Sequence, residues 1–277
     1  MDKLPIATGD AVQRLTRDLA KAAATLTTDE ARFLVDYYYI TQEDRKRAGN
    51  QERALDEDRE PHGVLSWLFD QSATIENQIK RALDAYTNAS PLGQWARDHY
   101  GIGPVIAAGL LAHIDLERAP TAGHIWRYAG LDPTVKWEKG QKRPWNSSLK
   151  TLCWKIGQSF MKFHGQEECF YGHIYLARKQ YEVERNDKGV NAELCKTILA
   201  GKNFSKTTDA FKHYTSGKLP PAQIDARARR YAVKIFLSHY HAAGYRLILG
   251  KEPPVPFPIA HMGHTHMIEA PVKSHLK

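Results

Sequence analysis

Several groups of residues in this sequence have types and spacing that could do chemistry. The first is Gly101-Ile102-Gly103-Pro104, set between Trp95-Ala96-Arg97 and Val105-Ile106-Ala107-Ala108-Gly109-Leu110-Leu111. This is the layout of a helix, a tight turn and a second helix. The two glycines permit positive backbone angles and leave room for a close approach. Ile102 plugs the angle between the helices, and Pro104 starts the second one without sacrificing a needed amide. The turn amides and the N-terminus of the second helix then face outward as a phosphate site. Such contacts position a duplex without reading its sequence. A tight turn that merely packs two helices is the plainer alternative.

The second group is cationic and aromatic. Lys136, Lys139, Lys142, Arg143, Lys150, Lys155 and Lys162 are interleaved with Trp137, Trp145 and Trp154. Lysine binds phosphate as a point charge and exposed tryptophan stacks on unpaired bases. Trp154 lies in an apolar helical pattern and reads as core, which leaves Trp137 as the exposed contact. Further on, Arg227, Arg229, Arg230 and Lys234 form a basic helix face opposite an apolar one, either a second phosphate strip with Arg227 and Arg230 as its contacts or a solvated surface.

Two constellations would make the protein an enzyme. His261, His264 and His266 form an HxxHxH cluster, with His239 and His241 upstream and Glu269 as the nearby carboxylate. Imidazoles so spaced could share a divalent metal such as zinc, which would activate water for phosphodiester cleavage. Adventitious metal binding by a histidine-rich tail is the alternative. Ser147 and Ser148 are candidate nucleophiles, more simply read as helix caps.

Helices must position these groups. Periodicity places one over Gly9 to Thr25 with Asp10 as cap, and one from Thr28 through Ile40 without a capping box. A third runs over about Val64 to Tyr86. A mixed-charge stretch, Thr41 to Glu60, breaks at Pro61-His62-Gly63. The absence of Gly and Pro between Gly63 and Pro91 favours a continuous rod, able to dimerise or to pack within its own chain. Ser90-Pro91 starts the next helix, as cap and first residue. An irregular stretch after the hairpin leads to helices over Ser147 to His164, Cys169 to Arg185 and Pro221 to Gly244. The tail from Lys251 reads as irregular.

The fold class expected is mainly α: a helical N-terminal arm over 1–90, a helix-hairpin-helix domain over 91–250, and a His/Pro-rich tail over 251–277. Charge follows this division. Residues 1–90 hold 12 Lys/Arg against 16 Asp/Glu, and residues 91–277 hold 27 against 15. A concentrated positive excess attracts polyanions, although many proteins simply carry a solvated basic surface. The start of the chain lacks the pattern of a secretory signal and no apolar run suits a membrane span, so a cytoplasmic protein without a membrane partner is expected. Cys153, Cys169 and Cys195 are widely spaced and read as ordinary thiols.

The run Gly101 to Ile114, followed by Trp126-Arg127-Tyr128-Ala129-Gly130-Leu131-Asp132-Pro133 and by Trp145-Asn146-Ser147-Ser148-Leu149-Lys150, resembles the C-terminal transposase domain of the IS110/IS116/IS902 transposases over about residues 92–165. The resemblance implies a DNA-handling protein of a prokaryotic or phage mobile element, and leaves a guide RNA conceivable. It also implies a RuvC-like α/β domain and a nucleophilic serine. The first 90 residues read as helices instead, and Glu138 or Lys139 stands where that serine would be, so the recombinase activity is not carried over. The reading is a homo-oligomeric DNA-binding protein that grips phosphates through Gly101, Ile102, Gly103, Pro104, Lys136, Trp137, Lys139, Lys142, Arg143, Lys150, Arg227 and Arg230, with no cofactor needed for binding. The alternative is a nuclease or divergent recombinase using the histidine cluster or a serine.

Overall fold

The computed structural model of the protein describes residues 14–55, 63–256, 260 and 267–271. Among these the fold is mainly α, with eleven α-helices, one 3-10 turn and no strand. In chain order the helices are α1 (Arg17–Ala22), α2 (Thr28–Leu55), α3 (Gly63–Asn88), α4 (Pro91–Arg97), α5 (Pro104–His113), α6 (Ala122–Tyr128), α7 (Ser147–Lys162), α8 (Phe170–Asp187), α9 (Ala192–Gly201), α10 (Asp209–Thr215) and α11 (Pro221–Leu247). None among the described residues is long and apolar enough to cross a membrane. The chain divides into two compact units, residues 1–97 with 103–115, and residues 98–102 with 116–277.

In the first unit α2 and α3 form an antiparallel helical hairpin. Glu52 accepts a hydrogen bond from Ser66 at 2.7 Å, Arg45 pairs with Glu76 at 2.6 Å, and Val35 shares a core with Ile79 and Leu83. The rod suggested by the uninterrupted sequence therefore packs on its own neighbour. The mixed-charge stretch continues α2 as far as Leu55. Its one glycine, Gly49, is buried, and an added Cβ would lie 3.0 Å from the Phe69 ring, so close packing rather than a break explains it. A capping box is present one residue earlier than the sequence reading looked for it. Thr27 Oγ1 accepts from the Glu30 amide at 3.3 Å, while Glu30 accepts from the Thr27 amide at 2.8 Å. Asp10 lies outside the described residues.

Helix α5 is buried along most of its length, and Val105 and Ala108 join the α2–α3 core. Arg32 closes its C-terminal end by donating to the Ala112 carbonyl at 2.7 Å. The apolar, small-residue surface of α5 thus finds its partners on α2 and α3, which places α5 in the first unit.

The second unit is built on α7, α8 and α11. Phe160, Tyr171 and Phe236, one from each, pack with ring centroids 5.1 to 5.6 Å apart. The short helices α6, α9 and α10 were not legible as separate elements. Helix α6 is tied to α11 by the Trp126 indole, which donates to the Lys234 carbonyl at 3.1 Å. Helices α9 and α10 flank a smaller core of Cys195, Leu219 and Ile224. All three cysteines are free and buried, and desolvation pushes the Cys153 thiol up to about 12, so they behave as packing residues.

Candidate nucleic-acid interface

The loop between α6 and α7 is organised by backbone and indole contacts. Gly130 adopts φ +65, and a Cβ there would lie 2.9 Å from the Trp145 ring and 3.0 Å from the Lys150 chain. Only glycine combines this left-handed backbone with so close an approach. Asn146 caps α7 by accepting from the Leu149 amide at 2.8 Å, and both its amide N–H and its side chain donate to Tyr128, at 2.9 and 3.0 Å. Asp132 accepts from the amide and the hydroxyl of Thr134, which together hold its carboxyl below the usual range. The run Tyr128 to Pro133 therefore pins the start of α7.

That run and the preceding hairpin are the segments on which the sequence likeness rested. Residues 94–166 match the Transposase IS116/IS110/IS902 family. The matched domain supports a transposase-related role and covers part of the chain. No curated protein and no solved structure matches the chain.

Within the hairpin of this matched segment, the two glycines differ. Gly101 has φ +90, and a Cβ there would stand 3.0 Å from Ser159 Oγ, whose hydroxyl donates to the Gly101 carbonyl at 2.6 Å. Gly103 has φ −90 and open space where a Cβ would go, so the expected positive angle is needed at Gly101 alone. Ile102 is buried and its amide is occupied by the His99 carbonyl at 3.0 Å. Pro104 is the first residue of α5, as the sequence indicated. The amides of Gly103, Val105 and Ile106, at the N-terminus of α5, have no hydrogen-bond partner among the described residues.

The structure brings three of the sequence candidates together. Lys150 stands among other cations: burial lowers its pKa, and the charges of Arg143 and Arg230 lower it further. Arg230 is itself held below its ordinary value by burial and by Arg227 and Arg229. Both side chains remain exposed, so the neighbouring atoms only partly screen them from water. Among the described residues no carboxylate lies within ion-pair distance of Arg143, Lys150 or Arg230. Lys150 sits 3.9 Å over the Trp145 ring, Arg143 sits 5.5 Å over Trp137, and the two indoles meet edge to face at 6.3 Å. Lys136, Lys139 and Lys142 are exposed on the same loop.

Other candidates fall elsewhere. Arg227 is an internal ion-pair residue, 3.2 Å from Glu182 and 3.3 Å from the Asn191 side chain. Arg229 pairs with Asp225 at 2.7 Å. The two tryptophan assignments are reversed in degree. Trp154 is 59 % exposed, while Trp137 is 37 % exposed, packs on Trp145 and donates to the Gln141 carbonyl at 2.8 Å. Helix periodicity carried the signal: Leu149, Leu152, Cys153, Ile156 and Phe160 form the buried stripe of α7, and position 154 lies off it.

Ser147 and Ser148 begin α7, but the cap is Asn146, and neither hydroxyl has a hydrogen-bond partner among the described residues. His261, His264 and His266 lie outside the described residues. His239 and His241 are buried and satisfied. His239 lies 2.8 Å from both the Tyr171 hydroxyl and the Ile268 carbonyl, and His241 lies 2.8 Å from the Ala119 carbonyl. No group of three or more potential metal ligands is assembled among the described residues.

Proposed function

We propose that the chain is a DNA-binding protein of a mobile element that holds the phosphate backbone with little sequence selectivity, through Arg143, Lys150 and Arg230. The observation that carries this reading is the gathering of Arg143, from the α6–α7 loop, and Arg230, from α11, about Lys150 of α7, with no carboxylate at ion-pair distance among the described residues. Like charges brought together lower one another's pKa and repel, a cost that a polyanion removes by supplying the missing opposite charge. The transposase-family match makes DNA the favoured polyanion. Lys136, Lys139 and Lys142 extend the positive loop. Binding of this kind draws on protein cations and needs no cofactor.

The test is a salt titration of binding to a labelled duplex by the full chain and by an Arg143→Glu, Lys150→Glu, Arg230→Glu variant of verified fold. Each lost phosphate contact flattens the dependence of log affinity on log salt by about 1, so the variant is expected to bind over about 100-fold more weakly with a slope shallower by about 3. Equal affinity and slope for the two proteins would sink the reading.

A further inference from the structure

We infer that Trp154 is a stacking platform for an unpaired nucleobase, so that the cation patch receives single-stranded or locally opened DNA in preference to an intact duplex. This rests on the DNA-binding reading above and specifies its substrate. The indole is 59 % exposed in the middle of α7, where a tryptophan is ordinarily at least half-buried. Among the described residues it has no hydrogen-bond, ring or cation partner. Trp145 and Trp137 differ from it, since each is already covered by a cation and by the other indole.

The surroundings decide what Trp154 faces. Lys150 lies four residues earlier on α7, hence on the same helix face and about 5 to 6 Å away between Cβ atoms. Thr151, at the other neighbouring position, is also exposed. Arg143 and Arg230 crowd Lys150 from the loop and from α11. A π-face open to solvent, one helical turn from Lys150, which has no carboxylate at ion-pair distance among the described residues, matches the two parts of a nucleotide with its base unstacked: a flat aromatic ring and an anionic phosphate. Cationic grooves with interposed aromatics bind single strands in this way, and stacking tolerates any base because every base has a π-face. Paired bases in a duplex keep their faces against one another, so an intact helix presents only phosphates to the same surface. A protein partner is less well matched, because an apolar docking surface would be ringed by mixed polar groups rather than by like charges.

The experiment uses the full chain with Trp154→Ala and Trp154→Phe, measured against labelled oligo(dT) and a perfectly paired hairpin duplex at one salt concentration, with Lys150→Glu/Arg230→Glu as reference. Trp154→Ala is expected to weaken oligo(dT) binding by about 5- to 100-fold while changing duplex binding less than about 2-fold. Trp154→Phe should recover most of the loss, and the salt slope should stay as in the native chain, since no charge is removed. Equal losses on both substrates, or none on either, would overturn the inference. So would a change in sedimentation behaviour without a change in affinity, which would assign the indole to self-association. If the reference variant loses both substrates while Trp154→Ala loses neither, the stacking role falls and the phosphate grip stands. If the native chain binds neither substrate, both readings fall together.

Discussion

Helix α11 carries two kinds of cation within a few residues, and they show how differently one residue type can be used. Arg227 and Arg178 converge on Glu182, a carboxylate only 2 % exposed, at 3.2 and 2.5 Å. Burial alone would raise the pKa of this carboxyl, but the hydrogen bonds and charges of the two arginines outweigh it and hold the group below the carboxylate range. Three positions along, Arg230 adds its charge to that of Arg143 on Lys150, with no carboxylate among the described residues at ion-pair distance from it. The first cluster closes its electrostatics inside the protein. The second leaves them open, to be completed by something else. A sequence that shows only Arg227-x-x-Arg230 cannot tell one from the other, because the difference is where Glu182 sits in space.

The comparison would break most visibly at Glu182. Replacing it with alanine strands the two arginines beside one another, and losing one partner of a buried pair costs about 3 kcal/mol or more. Because Arg178 and Arg227 keep some contact with water, a loss of about 2 to 3 kcal/mol in urea denaturation is the expected outcome, with DNA affinity of the folded fraction unchanged. A variant as stable as the native chain would show that the two arginines do not depend on this carboxylate. Charge reversal in the open patch should do the opposite, lowering affinity without lowering stability.

The hairpin offers a smaller version of the same contrast. Gly101→Ala forces a side chain into a left-handed backbone and against Ser159, so a loss of about 1 to 2 kcal/mol is expected. Gly103→Ala enters open space at an ordinary angle and should change stability by less than about 0.5 kcal/mol. Equal effects in a thermal melt would remove the distinction between the filled and the open glycine.

Acidification should separate closed groups from open ones by the smallest step. Burial lowers the imidazole pKa values of His113, His239 and His241 below the ordinary 6.5. Unfolded imidazoles therefore take up protons first as pH falls through about 6.5, so stability present above that pH declines below it. Glu76, Glu182 and Asp225, all held low by their partners, add a second decline from about pH 4 downward. Urea midpoints at pH 7.5 and 5.5 should differ in that direction. Identical midpoints would mean that the buried histidines take up protons without cost.

Much of the architecture could be read from residues close in the chain. The helical fold, the Ser90-Pro91 start, Pro104 as the first residue of α5 and the extent of α7 follow from caps and apolar periodicity, which are local physics. Periodicity also held information that went unused. The stripe from Leu149 to Phe160 already placed Trp154 on the outer face of α7, and Thr27 three residues before Glu30 already spelled a capping box. The short helices α6, α9 and α10 were less legible, since seven to ten residues give few turns over which a pattern can repeat.

What the sequence determined by itself was composition and local conformation: a mainly helical chain, acidic in its first part and basic afterwards, with a glycine turn, a transposase-like segment and a supply of cations and indoles. Tertiary structure decided which of those cations are neutralised and which converge. Arg143, Lys150 and Arg230 come from three separate stretches of chain, as do Glu182 and Arg227. Local rules fix backbone angles over a few residues, whereas the energy of a charge depends on every neighbour within several ångströms, and only folding chooses those neighbours.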